Sequence, residues 1–167
     1  GFRWAVEIPK TGPGDTVLIL GATGGVGTCC VQLAKAAGAT VIVTGSAKWK
    51  LDKLIELGAD HVIDLSVEDL REKLRSQVFA VTDGRGVDIC LDPVGGDVFD
   101  GSLRALAFAG RIITIGYASG RIPEARANYF NVKNLTLAGV ALDLHFQHVP
   151  EIVHAAMADL FDLYEQG

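Results

Sequence analysis

The feature that most constrains the fold is a regular alternation between short apolar segments and longer segments with helical periodicity. The short segments are rich in β-branched residues and almost continuously apolar, which is typical of strands buried on both faces of a parallel sheet. The predicted strands are Thr16–Gly21, Thr40–Thr44, His61–Asp64, Val87–Asp92, Arg111–Tyr117 and Leu135–Val140. The alternation therefore predicts an α/β fold in which helices cover both faces of the sheet.

Two junctions define how the predicted helices end. Gly38 and Gly58 each follow the last periodic residue of a helix, where a left-handed C-cap is favoured, and an alanine and a strand come next. The predicted helices are Gly25–Ala37, Ala47–Leu57, Val67–Val81, Val98–Ala107 and Val149–Tyr164. Right-handed crossovers between parallel strands then predict a doubly wound six-stranded sheet in the order 3-2-1-4-5-6, a Rossmann fold. The longest irregular stretch is Ala118–Asn134, where ligand-binding loops are expected.

Length and charge narrow the classes of partner. The 167 residues, 49% of them hydrophobic, are enough for one domain with its own core. The net charge of -5 and the scattered lysines and arginines argue against a nucleic-acid partner. No apolar run approaches the roughly 18 residues of a membrane span, and Arg3, Glu7 and Pro9 interrupt what would be a signal peptide. We expect a cytoplasmic protein without a membrane partner.

The cysteines and histidines predict neither a disulfide framework nor a metal site. The cysteines are Cys29 and Cys30, adjacent on a predicted helix, and Cys90, within a predicted strand. Three histidines lie close in sequence, but no neighbouring cysteine or carboxylate completes a zinc pattern. These histidines are His145, His148 and His154.

A glycine-rich turn follows the first predicted strand. Its spacing, Ala22-x-Gly24-x-x-Gly27, matches the dinucleotide-binding fingerprint with alanine in the place of the first glycine. Gly24 would let the backbone approach a pyrophosphate, and Gly27 would let the helix pack closely on the sheet. The free N–H groups of the first helical turn, from about Gly25 to Thr28, would supply hydrogen-bond donors. The predicted pyrophosphate site is Gly24, Gly25, Val26 and Gly27.

The segment Thr44–Lys50 favours NADPH over NADH. An NAD-selective domain places an acidic residue about 20 residues beyond the fingerprint, against the ribose 2′-hydroxyl. No carboxylate occupies this segment, whereas Ser46 can donate a hydrogen bond and Lys50 can supply positive charge. We therefore expect a 2′-phosphate at Ser46 and Lys50, with Lys50 preferred over Lys48.

The order of motifs resembles the medium-chain dehydrogenase/reductase superfamily, and within it the zinc-independent quinone oxidoreductases of the ζ-crystallin-like branch. The resemblance covers nearly the whole chain and is specific to the cofactor-binding domain. The segments that carry it are Gly21–Gly27, Val31–Lys35, Leu57–Asp64, Asp83–Asp88, Leu91–Gly96, Ser102–Leu106, Gly110–Gly116 and Lys133–Leu135.

This resemblance implies hydride transfer from NADPH to a quinone or enone, without zinc. It places the nicotinamide half of the cofactor along Asp92, Pro93, Val94 and Gly95, and along Gly116, Tyr117, Ala118 and Ser119. Leu65 stands where some members of the branch have a tyrosine beside the adenosine phosphate.

The resemblance also bears on what lies outside residues 1–167. Family members carry a separate substrate domain, so we expect the chain to be a dinucleotide-binding fragment of a longer polypeptide, and no catalytic residue is assigned. The absence of a methionine start near Phe2–Val6 agrees with this. Members usually pair through the outer strand, here 135–140, which implies a homodimer.

Two other functions fit parts of the sequence. Tyr129 and Lys133 have the spacing of the Tyr-x-x-x-Lys pair of short-chain dehydrogenases, and Ser119 lies upstream. That pair needs a shared helix, whereas Lys133 is predicted to begin a turn that leads into the last strand. An isolated Rossmann domain can also act as a nucleotide-binding module without turnover.

Overall fold

Six parallel strands form the centre of the part of the chain that the structure describes. A computed structural model describes residues 10–166, apart from the side chains of residues 163 and 166. The strands are β1 (Thr16–Ile19), β2 (Thr40–Gly45), β3 (His61–Asp64), β4 (Val87–Asp92), β5 (Leu106–Thr114) and β6 (Thr136–Gly139). All neighbours pair in parallel, in the order β3-β2-β1-β4-β5-β6. The predicted sheet is thereby confirmed, and all its strands end at one edge, here called the carboxyl edge.

Among residues 10–166, seven helices connect or follow these strands. They are α1 (Gly25–Ala36), α2 (Lys48–Glu56), α3 (Leu70–Val81), α4 (Gly96–Ala105), α5 (Ala127–Lys133), α6 (Leu142–His148) and α7 (Pro150–Gln166). The predicted left-handed caps are confirmed at Gly38, with φ 82°, and Gly58, with φ 104°. At the first cap, Gly38 N–H donates to Lys35 O and Ala39 N–H donates to Ala34 O, the bond pattern of a Schellman motif.

Alternate side chains of the buried strands pack into two separate hydrophobic cores, one on each face of the sheet. Val17 and Ile19 of β1 point to one face, where they pack with side chains of α1 and α2. Leu18, from the same strand, points to the other face and joins a cluster with α3 and α4 that includes Phe99. Because both faces are covered by helices, the strands are apolar at nearly every position.

The main differences from the sequence prediction lie in the second half of the chain. The helix predicted over Val98–Ala107 ends at Ala105, because β5 starts at Leu106, which pairs with Val87. The register of β5 then shifts before Arg111, the predicted start of that strand. Within Ala118–Asn134, predicted to be irregular, residues 127–133 form α5, and α6 was also not predicted.

Candidate dinucleotide site at the carboxyl edge

The glycine turn joins β1 to α1 as tightly as its sequence predicts. Gly24 N–H donates to Gly21 O over 3.1 Å, and Gly24 is the N-cap of α1. A Cβ added to Gly27 would lie 2.7 Å from Gly21 O and would also clash with backbone atoms of Ala22. Gly27 therefore allows the first turn of α1 to press against the turn that precedes it.

The first turn of α1 presents three N–H groups without an intrahelical acceptor. The Thr28 N–H donates to Gly24 O over 3.0 Å, so the free donors are those of Gly25, Val26 and Gly27, one fewer than predicted. This turn carries no acidic side chain that would neutralise the positive end of the helix dipole. The arrangement suits an anion such as a pyrophosphate.

A buried threonine that the sequence analysis did not single out holds the glycine turn against the neighbouring strand. The hydroxyl of Thr44, at the end of β2, accepts a hydrogen bond from Gly21 N–H over 3.2 Å and lies 3.4 Å from Ile19 O, to which it donates. The Thr44 side chain is completely buried. The ends of β1 and β2 are thus fixed relative to each other.

Beyond Thr44, the residues predicted to meet a 2′-phosphate are exposed. Ser46 follows β2 directly, and Lys50 lies in the first turn of α2, which has no acidic residue. Lys48 forms an ion pair with Asp52, with 3.2 Å between Nζ and Oδ1. The Lys50 ammonium instead lies 5.3 Å from the centre of the Trp49 ring, and it pairs with no carboxylate of residues 10–166. Lys50 therefore keeps its charge available for an anion.

The turn after β4 is built around Asp92. Its Oδ1 accepts hydrogen bonds from Val94 N–H and Gly95 N–H, each over 2.8 Å, and the side chain is completely buried. Burial raises the pKa of the Asp92 carboxyl above its ordinary value, and the two hydrogen bonds offset this effect only in part. The carboxyl thus shapes the turn from inside, and Asp92 as a whole has no exposed surface.

The second predicted stretch, Gly116–Ser119, lies directly against this turn. Ala118 N–H donates to Pro93 O over 3.1 Å, and Ser119 N–H donates to Val94 O over 2.9 Å. Val94 also abuts the glycine turn, since a Cβ on Gly21 would come within 2.6 Å of its Cγ2 atom. The structure thus brings both predicted nicotinamide stretches together beside the predicted pyrophosphate site.

A cavity of about 410 Å³ opens at the ends of β5 and β6. It includes Gly116 and Tyr117, but its far wall comes from α6 and was not predicted as part of the site. The lining residues are Thr114, Ile115, Gly116, Tyr117, Gly139, Val140, Ala141, Leu144 and His145. The His145 ring is oriented by a contact of 2.8 Å between Nδ1 and Ala141 O. Because α6 has only seven residues and follows β6 after a short connection, periodicity gave no signal for it.

Lys133, the second member of the Tyr129–Lys133 pair, lies at the opposite end of the sheet from this edge. Both residues are on α5, so the expectation that Lys133 begins a turn is wrong. However, Lys133 Nζ donates to Leu106 O over 2.7 Å and to Arg104 O over 3.3 Å, where α4 passes into the amino end of β5. Burial lowers the pKa of the lysine, and the nearby Arg75 lowers it further. Lys133 thus anchors α5 at the amino end of the sheet, opposite the site.

Three further features of the part of the chain that the structure describes concern metal ligands, cysteines and membrane-spanning helices. Residues 10–166 contain no group of three or more histidine, cysteine or acidic side chains that could hold a metal ion. The three cysteines are free thiols, and burial raises the pKa of Cys30 to about 12, with a further contribution from Cys29. Over the same residues, no helix combines the length and apolarity needed to cross a membrane.

The sheet order, the glycine turn and the paired loops define a dinucleotide-binding domain of the Rossmann type. A family model described as zinc-binding dehydrogenase matches residues 25–159. The chain belongs to this family, and hence to the medium-chain dehydrogenase/reductase superfamily, as its cofactor-binding domain.

Three similar proteins illustrate the range of this family. A quinone oxidoreductase-like protein 2 homolog of Nematostella vectensis is 34% identical over 155 residues, which are 93% of this chain and 41% of that protein. The structure of a mycobacterial protein in complex with NADPH is 32% identical, with a TM-score of 0.90 over 99% of this chain and 50% of that chain. A 2-haloacrylate reductase is 33% identical, with a TM-score of 0.85 over 99% of this chain and 51% of the other. The chain therefore spans about half the length of these relatives or less.

Proposed function

We propose that this domain binds NADPH for an oxidoreductase that reduces a quinone or an enone-type double bond. The observation that carries the proposal is the pairing of two anion sites at one edge of the sheet. One is the free N–H turn at Gly25–Gly27, and the other is the uncompensated Lys50 beside Ser46. The similar mycobacterial protein was solved with NADPH, which supports the same ligand here.

Each part of the edge has a separate role in this proposal. The backbone of Gly24, Gly25, Val26 and Gly27 binds the pyrophosphate, and Ser46 and Lys50 bind the 2′-phosphate. The loops at Asp92–Gly95 and Gly116–Ser119 orient the nicotinamide beside the cavity that Tyr117 lines. NADPH when bound supplies the hydride, while the residues of this chain hold it in place and limit its exposure to water.

The proposed chemical class of the hydride acceptor is inferred from the names of similar proteins. One is named as quinone oxidoreductase-like and another as a reductase of 2-haloacrylate, whose carbon–carbon double bond is conjugated to a carboxylate. We propose transfer to such an electron-poor acceptor without zinc, as the resemblance to the zinc-independent quinone oxidoreductases implies. The acceptor would bind where this domain meets a substrate-binding part like that of the longer relatives.

Two further proposals concern the setting of the protein. The free thiols Cys29, Cys30 and Cys90 suit the reducing cytoplasm, where we place the protein. We also propose a homodimer that forms through the open edge of β6.

The test is a calorimetric titration of the chain with NADPH and NADH, using the wild type, Lys50→Ala and the matched control Lys48→Ala. We expect the wild type to prefer NADPH, and Lys50→Ala to bind it about tenfold more weakly because a charged hydrogen bond to phosphate is lost. Lys48→Ala should retain the preference, since Lys48 is already paired with Asp52. Equal affinity of the wild type for both nucleotides, or binding of neither, would contradict the proposal.

A further inference from the structure

Arg121 connects the loop after β5 to the first turn of α4. Its Nη2 lies 2.7 Å from Asp100 Oδ2 and 3.0 Å from Asp97 Oδ1, two carboxylates one helical turn apart on α4. The Asp100 side chain is only 14% exposed, and Arg71 Nε lies 3.9 Å from the same oxygen. The guanidinium therefore bridges two acidic groups that are fixed by the helix.

The backbone of Arg121 reinforces this connection. Arg121 O accepts a hydrogen bond from Gly96 N–H over 3.1 Å, at the first residue of α4. A Cβ on Gly95 would lie 2.8 Å from Arg121 O, and a Cβ on Gly96 would lie 2.8 Å from Ser119 Oγ. The loop after β5 and the turn after β4 are thus in close contact along their length.

Apolar burial contributes little to the position of this loop. Residues 117–122 are all exposed, and the Ile122 side chain is 67% exposed instead of being anchored in a core. Polar contacts to the turn after β4 and to α4 therefore determine where the loop lies. Among the contacts that this loop makes with other described residues, the Arg121 bridge alone uses charged side chains.

We propose that Arg121 is a positioning residue, which holds the Gly116–Ser119 loop in place for the nicotinamide half of the cofactor. The inference rests on the proposed function, since it assigns a role within the same site. The proposal predicts which half of the cofactor is affected. Ser46, Lys50 and the glycine turn, which would bind the phosphates, do not contact Arg121. Loss of the bridge should weaken binding of the nicotinamide half and leave binding of the adenosine half unchanged.

The experiment measures dissociation constants for NADPH and for 2′-phospho-ADP-ribose, which lacks the nicotinamide, by calorimetry. We expect Arg121→Ala to bind NADPH about threefold to fivefold more weakly, as suits an exposed ion-pair network, and 2′-phospho-ADP-ribose as the wild type does. The matched control is Arg104→Ala, which removes an arginine at the other end of α4 that pairs with Glu72 over 3.2 Å. This control should leave both constants unchanged.

Results that differ from these would contradict either the role of Arg121 or the proposed binding of NADPH. If Arg121→Ala weakens both ligands equally, or neither, Arg121 does not position the nicotinamide side. The same conclusion follows if Arg104→Ala reproduces its effect. If the wild type binds neither ligand, the proposed function itself fails. Asp100→Asn provides a second variant, and it should give the same ligand-selective loss, without a further loss when combined with Arg121→Ala.

Discussion

Gly27 is the residue on which the geometry of the glycine turn depends most directly. Any side chain there would meet backbone atoms of Gly21 and Ala22, and backbone cannot rotate away as a flexible side chain can. We predict that Gly27→Ala pushes α1 from the turn and lowers the free energy of unfolding by about 1–3 kcal/mol, the usual cost of overpacking. Urea denaturation measures this loss.

The matched control for this prediction is Gly25→Ala. An added Cβ at Gly25 has no atom within 4 Å, so the substitution should leave the free energy of unfolding nearly unchanged. Equal losses of stability in both variants would show that the close contact at Gly27 does not matter.

At the residue scale, the sequence predicts main-chain sites better than side-chain roles. The glycine spacing identifies the turn, and the position of Gly27 in the motif reveals the steric reason for that glycine. Asp92 is different, since nothing in the surrounding sequence shows that its carboxyl is buried and accepts hydrogen bonds from the N–H groups of Val94 and Gly95. The link from Thr44 to Gly21 is equally hidden, because it joins residues 23 positions apart.

Asp60 shows how elements are joined at the amino end of the sheet. It precedes β3, and its carboxylate accepts hydrogen bonds from Val41 N–H over 2.7 Å and from the Lys35 ammonium at the end of α1. Partial burial alone would raise the pKa of Asp60, but these hydrogen bonds outweigh burial and hold the pKa below its ordinary value. One side chain thus connects α1, β2 and β3.

Because the pKa of Asp60 is lower in the folded state than in the unfolded state, the free energy of unfolding should fall as the pH falls. The ionised carboxylate stabilises the fold above the pKa of Asp60 in the unfolded chain, and this stability is lost as the pH falls through the folded pKa. We predict that Asp60→Asn lowers the free energy of unfolding by about 1 kcal/mol at pH 7. Its difference from the wild type should shrink at about pH 3, below the ordinary aspartate pKa of about 3.9.

Urea unfolding at the two pH values measures this effect. The exposed Asp52, whose one ion pair within residues 10–166 is with Lys48, provides the control as Asp52→Asn and should show little difference from the wild type at either pH. A constant difference between Asp60→Asn and the wild type across the pH range would contradict the charge argument.

Elements with strong local signals were predictable, and those fixed by tertiary contacts were not. The glycine caps after α1 and α2 mark helix ends in the sequence itself. The start of β5 depends on pairing of Leu106 with Val87, which helical periodicity from α4 obscures. For α5, the available signal was Asn134, which ends the helix in the left-handed conformation with φ 54°.

At the scale of the whole molecule, β6 leaves one edge of the sheet open among the described residues. Val140 N–H donates to Thr114 O, and because N–H directions alternate along a strand, the N–H groups of Leu137 and Gly139 point away from β5. The Leu137 side chain is 45% exposed. An unpaired edge with an apolar residue is a template for adding another strand, which supports the proposed homodimer.

We predict that the wild type sediments at twice the chain mass of 17.7 kDa, and that Leu137→Lys shifts it to the mass of one chain. A lysine on an edge strand opposes pairing because it replaces an apolar cross-strand contact with a positive charge on each of the two strands. Val132→Lys is the matched control, since Val132 is 77% exposed on α5, outside the strand, and its replacement should leave the dimer intact. Sedimentation equilibrium over a range of protein concentrations measures both masses.

A wild type that stays at the mass of one chain at every concentration would contradict an interface at β6. Dissociation by both lysine variants would instead place the contact on a broader surface that includes α5.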